Sequence, residues 1–253
     1  MIAITRQVSP GIGNCELTHM PRRDIDLARA QAQHLEYERA LEAMGCRVHS
    51  LPAQPDLPDS VFVEDTAIVL KELAVITRPG AASRRPETAS VAVALRAYRP
   101  VFTMQAPGTL DGGDVLTMGT TLYVGRSARS NQAGIKQLLE LVSPYGYHVE
   151  TVEVSGCLHL KSAVTQVGEG QLLVNSAWMD ARSFGDMEII DIDPMEPYAA
   201  NGLLVGGELL YPTSFPKTLQ RLARRGVSVR TVDVSELQKA EGAVTCCSLI
   251  FYA

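Results

Sequence analysis

Hydrophobic and polar positions along this chain fall into one recurring order. A polar or small-residue lead-in is followed by two short apolar runs joined by a turn, then a helical stretch, then a further apolar run. The N-terminal part shows only the later half of that order. Ile2 to Val8 predicts a strand, ended by Ser9-Pro10-Gly11. A long amphipathic helix follows, capped by Asp24 or Asp26 and running through Met44. Its Leu27, Ala30, Leu35 and Leu41 recur at roughly helical spacing, and Gly45 stops it. Val48 to Leu51 is a short strand before the proline-rich turn Pro52 to Pro58.

From there the full order repeats. Phe62-Val-Glu-Asp65 leads into Thr66 to Leu70 and Leu73 to Thr77; Leu110-Asp-Gly-Gly-Asp114 leads into Val115 to Met118 and Thr121 to Val124. His159-Leu-Lys161 leads into Ser162 to Val167 and Leu172 to Val174, and Ala199-Ala-Asn201 into Leu203 to Val205 and Leu209 to Tyr211. Thr245-Cys-Cys247 leads into Ser248 to Phe251, where the chain all but stops. Helices are predicted over Arg84 to Ala97, Asn131 to Val142 and Pro216 to Arg225, while the stretch after Ala177 is degenerate and reads as loop. Third strands are predicted over Val101 to Met104, His148 to Val154 and Val227 to Val232.

The lead-ins at Asp65, Asp114, Ser162, Asn201 and Cys247 are 49, 48, 39 and 46 residues apart. A unit of that size buries its apolar face by stacking against copies of itself. The N-terminal strand, helix and strand make a fifth unit only if the C-terminal hairpin piece completes it. Five units closed in a ring leave no free sheet edge, and closure pins the terminal strand beside Ile2 to Val8. A linear array would instead leave apolar terminal pieces exposed. The expectation is therefore a single domain over residues 1–253, closed by pairing of its two terminal segments.

Composition narrows the partners. The net charge is -5 and basic residues cluster only in pairs, Arg22-Arg23, Arg84-Arg85 and Arg224-Arg225, which argues against nucleic acid and against a polybasic membrane surface. No apolar run is long enough for a signal peptide or a membrane span. Five cysteines, an odd number in a chain this large, read as reduced thiols in a cytoplasm. Neither a C-x-x-C pair nor an H-E-x-x-H motif occurs, so no metal or cofactor is expected.

In a ring, the lead-ins converge on the axis. That gathers Glu64 and Asp65, Asp111 and Asp114, His159, Asn201 and Cys246. Cys246 offers a nucleophile, though an adjacent cysteine pair also suits a plain buried strand. An ordinary thiol is only a few per cent thiolate at neutral pH, so Cys246 needs a nearby cation or a cationic substrate. His159 can move protons, unless it is a structural histidine between Leu158 and Leu160. Asp111 can orient His159 or hold a cation, and Asp-Gly-Gly-Asp is also an ordinary turn. Asp59, Asp65 and Asp111 crowd three carboxylates beside a histidine, an arrangement that a planar guanidinium would satisfy. Arg84 and Arg129 begin helices and can clamp a carboxylate or serve as surface charges.

At these residues the chain resembles the dimethylarginine dimethylaminohydrolases of the guanidino-group-modifying (amidinotransferase) superfamily. The resemblance is carried by Pro58 to Asp65, Thr77 to Arg85, Leu110 to Val115, Ser127 to Asn131, Leu158 to Lys161, Tyr198 to Asn201 and Val244 to Ser248. It implies an α/β fold, a five-bladed pseudo-fivefold α/β propeller, in agreement with the repeat count. It implies Cys246, not Cys247, as nucleophile, His159 as general acid and base, and Asp111 as third member. It further implies Asp65 on the guanidinium with Glu64 among the substrate-binding residues, Asp59 near the α-amino group, and Arg84 and Arg129 on the α-carboxylate. Leu17 falls where a mobile N-terminal loop would cover the pocket. The implied reaction is hydrolysis of Nω-methylated L-arginine to L-citrulline and methylamine or dimethylamine through a covalent Cys246 thiouronium. A deiminase of free arginine, a hydrolase of another guanidine and a non-catalytic guanidino-compound binder are the alternatives, and monomer or homodimer stays open.

Overall fold

The computed structural model describes residues 1–253 and places its strands in five three-stranded sheets. Strand β1 (Ile2–Arg6) pairs in parallel with β2 (Arg47–Leu51) across the connecting helix α1 (Leu27–Ala43). Asp26 is the N-cap, its carboxylate accepting from the Arg29 amide, which decides between the two aspartates predicted. Gly45, at φ 88°, ends the helix, and the Cys46 amide bonds back to the Leu41 carbonyl in a Schellman-type stop.

Every later sheet is an antiparallel hairpin whose second strand also pairs in parallel with a third. The second sheet is β3 (Ala67–Val69), β4 (Ala74–Ile76) and β5 (Val101–Thr103), with α2 (Thr88–Leu95) in the crossover. The third is β6 (Val115–Met118), β7 (Thr121–Arg126) and β8 (His148–Glu153), crossing through α3 (Gln132–Val142). A one-turn helix α4 (Leu160–Ala163) introduces the fourth sheet, β9 (Val164–Gly168), β10 (Gln171–Val174) and β11 (Glu188–Asp191). The fifth is β12 (Leu203–Val205), β13 (Glu208–Pro212) and β14 (Val229–Val232), with α5 (Pro216–Arg224) in its crossover and α6 (Ser235–Gln238) after it. The last strand, β15 (Leu249–Phe251), returns to β1 as its antiparallel partner, setting Ile2 opposite Phe251 and Ile4 opposite Leu249. The first sheet is thus built from both ends of the chain, as the repeat count required.

The packing closes the ring. Middle strands of the sheets are apolar on both faces and their side chains alternate between two seams. Leu73 and Val75 enter one core with Leu122 and Val124, whereas Ala74 and Ile76 enter another with Ile2 and Ile4. Leu172 and Val174 face the third sheet, and Leu173 packs with Leu209 and Tyr211 of the fifth. Leu210 then joins Ala3, Tyr37 and Leu41. Five sheets have five seams, each with its own core, and no sheet face is left over.

The differences from expectation are local. Pro86 interrupts the predicted Arg84 to Ala97 helix, so its first part is a tight 3-10 stretch, Ala82–Glu87, before α2 begins. The fourth crossover has only a 3-10 turn, Ala181–Phe184, in keeping with its degenerate pattern. Strand β11 was not predicted at all, because only Ile189 and Ile190 in it are apolar.

Candidate active site

The lead-ins do converge. Asp111, the residue before the Gly112–Asp114 turn, is fully buried, and its carboxylate bridges two elements: Oδ1 accepts from the Gly80 amide at 2.9 Å and Oδ2 meets His159 Nε2 at 2.9 Å. The other imidazole nitrogen, Nδ1, lies 3.8 Å from Asp65 Oδ1. Asp65 is fixed in turn by the Gly113 amide at 3.0 Å and by Arg84 Nη1. Gly113 must be glycine here, since a Cβ would stand 2.6 Å from the His159 ring and 2.7 Å from Asp65. Behind the histidine, Asp114 Oδ1 accepts the Leu160 amide at 2.9 Å, holding α4 so that His159 faces the axis.

Cys246 lies in the turn before β15, with its amide bonded to Ala243 and its carbonyl accepting from the Glu64 amide at 3.1 Å. It is half-buried, whereas Cys247 is buried completely with Sγ against the Ala243 carbonyl. The residue before it, Thr245, is clasped twice by Asn201 and gives its hydroxyl to Glu64 Oε2 at 2.8 Å. A narrow cavity opens over these groups. Asp59, Asp65, Arg84, Arg129, His159 and Cys246 line it, with Glu16, Phe62, Leu158 and Glu241 completing the walls.

Electrostatics follow from the carboxylate crowding. Burial disfavours charge on His159, but Asp65, Asp111 and Asp114 together outweigh it and hold the imidazole at about 9. Burial likewise opposes ionisation of Asp65, yet His159 and Arg84 prevail and bring it to about 2. Burial raises Asp114 to about 6, and raises Asp59 and Glu64 above the usual carboxylate range. The Cys246 thiol is pushed up to about 12, by burial first and then by the Glu64 and Asp65 carboxylates. At neutral pH the site therefore combines a neutral thiol, a charged histidine and an excess of carboxylate. It is built to accept a cation. Asp65, Asp111 and His159 each offer a ligand atom within 4.8 Å of the others, but these atoms already bond one another, Arg84 and Gly113.

The geometry agrees with the comparisons to known proteins. The family described as N,N dimethylarginine dimethylhydrolase, eukaryotic, matches residues 19–184. An N(G),N(G)-dimethylarginine dimethylaminohydrolase of Streptomyces coelicolor is 43% identical over 248 residues, covering 98% of this chain and 95% of that protein. The chain belongs to the dimethylarginine dimethylaminohydrolase family. The Pseudomonas aeruginosa relative of the same name is 37% identical, over 89% of this chain and 90% of its own length. A solved structure of the P. aeruginosa protein, a cysteine-to-serine mutant complexed with citrulline, superposes with a TM-score of 0.94 at 35% identity, covering 98% of both chains. The N-terminal domain of ArgZ, an arginine dihydrolase, shares the fold at a TM-score of 0.84 and 18% identity.

Three of the expected positions meet the cavity only in part or not at all. Glu64 is not on the wall of this cavity; it pairs with Lys161 Nζ at 2.5 Å and with Thr245, and borders the space between β3, β6, β9, β12 and β15. Arg84 reaches the cavity, but it is buried and most of its N–H groups are taken by Glu87, Asp65 and the Phe62 carbonyl. Only one Nη1 hydrogen is left for a ligand, so it cannot make a two-pronged clamp. Leu17 packs with its side chain on the same core as α1, and Glu16 beside it is the residue that lines the cavity. Arg129 is half-buried on the cavity wall, and its guanidinium donates to the Thr18 hydroxyl at 3.1 Å. Two residues of the site escape the sequence reading: Lys161, the ion partner of Glu64, although it stands in the Leu158 to Lys161 motif, and Glu241, which lines the cavity.

Proposed function

We propose that this chain hydrolyses Nω-methylated L-arginine to L-citrulline and methylamine or dimethylamine, with residues 1–253 acting as one catalytic domain. The observation that carries the reading is a half-buried thiol that lines the same cavity as a carboxylate-bound histidine, with an excess of negative charge around them. Asp65 receives the guanidinium. Asp59 receives the α-ammonium, and Arg129, with one N–H of Arg84, receives the α-carboxylate.

The cationic substrate counters the carboxylates that hold the Cys246 thiol neutral, so the thiol gives up its proton to solvent and the thiolate forms beside the group it attacks. Sulfur adds to the guanidinium carbon. His159, charged before the reaction, gives its proton to the departing amine, whose C–N bond breaks to leave a thiouronium on Cys246. The neutral imidazole then takes a proton from water arriving where the amine stood. Hydroxide adds, the C–S bond breaks, and the hydroxyl proton of the adduct passes to sulfur, so citrulline leaves with the thiol and the charged imidazole restored. Asp111 keeps the imidazole oriented and stabilises its charged form through both steps. The five unpaired cysteines support a reducing, cytoplasmic setting.

Parallel initial-rate assays with Nω,Nω-dimethylarginine, Nω-methylarginine and arginine test the reading. Citrulline should form from the methylated substrates at least about tenfold more efficiently than from arginine, a difference within the reach of one methyl-sized pocket contact. Equal efficiency on arginine, with release of ammonia, would make the chain a deiminase instead.

A further inference from the structure

The segment from Ser9 to Arg23 crosses the mouth of the cavity as a strap whose own structure is the 3-10 turn Ile12–Asn14 and the Arg22 guanidinium, which donates to the Gly13 and Cys15 carbonyls. It is held from below at several points. Asp59 accepts the Glu16 amide at 3.1 Å, Ser83 bonds the Glu16 carboxylate, and Arg129 bonds the Thr18 hydroxyl. The densest contact comes from Glu241, which sits more than two hundred residues away in sequence and five before Cys246. Its carboxylate accepts three successive strap amides: Thr18, at 3.0 Å to both oxygens, then His19 and Met20.

The backbone at Glu241 is itself unusual. Glu241 is the one non-glycine residue with positive φ, at 57°, in a region that costs an L-residue energy and that glycine occupies freely. Its neighbour Gly242 lies against Phe62, where a Cβ would come within 2.1 Å of the ring. The tight approach at Gly242 fixes the turn, and the turn aims the carboxylate at the strap. A glutamate stands where a glycine would fit without strain, and what the glutamate adds is the strap contact.

We propose that Glu241 is a positioning residue whose carboxylate latches the Ser9 to Arg23 strap over the catalytic cavity and so gates access to Cys246. Releasing the latch exposes the strap and loosens the walls that Glu16 and Thr18 give the amino-acid end of the ligand. The gating half of this proposal rests on the hydrolase reading above; the latch itself does not.

The test uses the full chain with Glu241→Gly, which removes the carboxylate while relieving the positive φ, and Glu241→Gln, which keeps one acceptor oxygen. Trypsin cleavage after the exposed Arg22 and Arg23 of the strap should run about tenfold faster in E241G than in the unaltered protein, with E241Q between them, because charge-assisted bonds to three amides are lost. Saturating citrulline should slow cleavage of the unaltered protein and protect E241G less. KM for Nω,Nω-dimethylarginine should rise about tenfold in E241G while kcat changes by less than about threefold. Cleavage of E241G at the unaltered rate would overturn the latch. Faster cleavage with an unchanged KM would overturn the gate. If the unaltered protein converts no methylarginine, the hydrolase reading fails, and the trypsin comparison still decides the latch.

Discussion

Replacing Asp111 by Asn removes one charge and almost no volume. The Gly80 amide can keep its acceptor, and Ser130 Oγ still accepts from the residue 111 amide at its present 3.1 Å. What changes is the 2.9 Å contact to His159 Nε2, where a carboxylate oxygen gives way to an amide. A hydrogen bond to a charged group contributes about 1.5–3 kcal/mol, equivalent to about 10- to 150-fold in a rate constant. Asp65 and Asp114 remain near the ring, so the imidazole is not stripped of all support, but burial opposes its charge more effectively. Its midpoint should fall from about 9 toward neutrality. Initial rates of citrulline formation between pH 6 and 10 measure both effects. In Asp111→Asn, kcat should drop by about 10- to 150-fold, and the alkaline fall in rate should move to lower pH. A variant within twofold of the unaltered kcat, with an unmoved alkaline limb, would refute the pairing of Asp111 with a charged His159.

Three further outcomes follow from the same structure. His159 is held above its ordinary value of 6.5, at about 9; its stabilisation is therefore complete below pH 6.5 and is lost as pH rises through about 9, so Asp111→Asn should lower the Tm more at pH 6 than at pH 10. With the Cys246 thiol near 12, iodoacetamide should alkylate the ligand-free protein slowly at pH 7, faster as pH rises, and on Cys246 before the wholly buried Cys247, as read by peptide mass spectrometry; fast alkylation at pH 7 would contradict the burial argument. Phe251 closes the ring by packing edge-on against Tyr98 at 5.3 Å and under Arg99 at 5.0 Å; Phe251→Ala should cost about 3–5 kcal/mol in urea unfolding, and a loss below 1 kcal/mol would show that β15 does not hold the first sheet together.

Much of the architecture could be read from periodicity, because a middle strand packed on both faces leaves an apolar run that survives in the sequence. The Leu172 to Val174 and Leu209 to Tyr211 runs are of this kind. Strand β11 is an outer strand with Glu188 and Asp191 exposed at its ends, and it leaves almost no such trace. The convergence of side chains on one cavity was legible where they belong to lead-ins, as Asp65, Asp111, His159 and Cys246 do. It was illegible where a role depends on what else shares the space. Glu64 and Asp65 are neighbours in sequence, yet the 3-10 turn Val63–Thr66 sends one carboxylate to Lys161 and the other to His159. Arg84 looks like a ligand clamp until Glu87 and Asp65 are seen to occupy its fork. Glu241 carries no motif, and its contacts lie more than two hundred residues upstream.

The central claim is that Cys246 attacks the guanidinium carbon and carries the citrulline precursor as a covalent thiouronium. Mass spectrometry of protein quenched in acid during turnover of Nω,Nω-dimethylarginine tests it directly. An adduct lacking dimethylamine should appear only on the peptide bearing Cys246 and be absent from Cys246→Ser, which should release no citrulline. Citrulline formation by Cys246→Ser, or an adduct on any other residue, would contradict it.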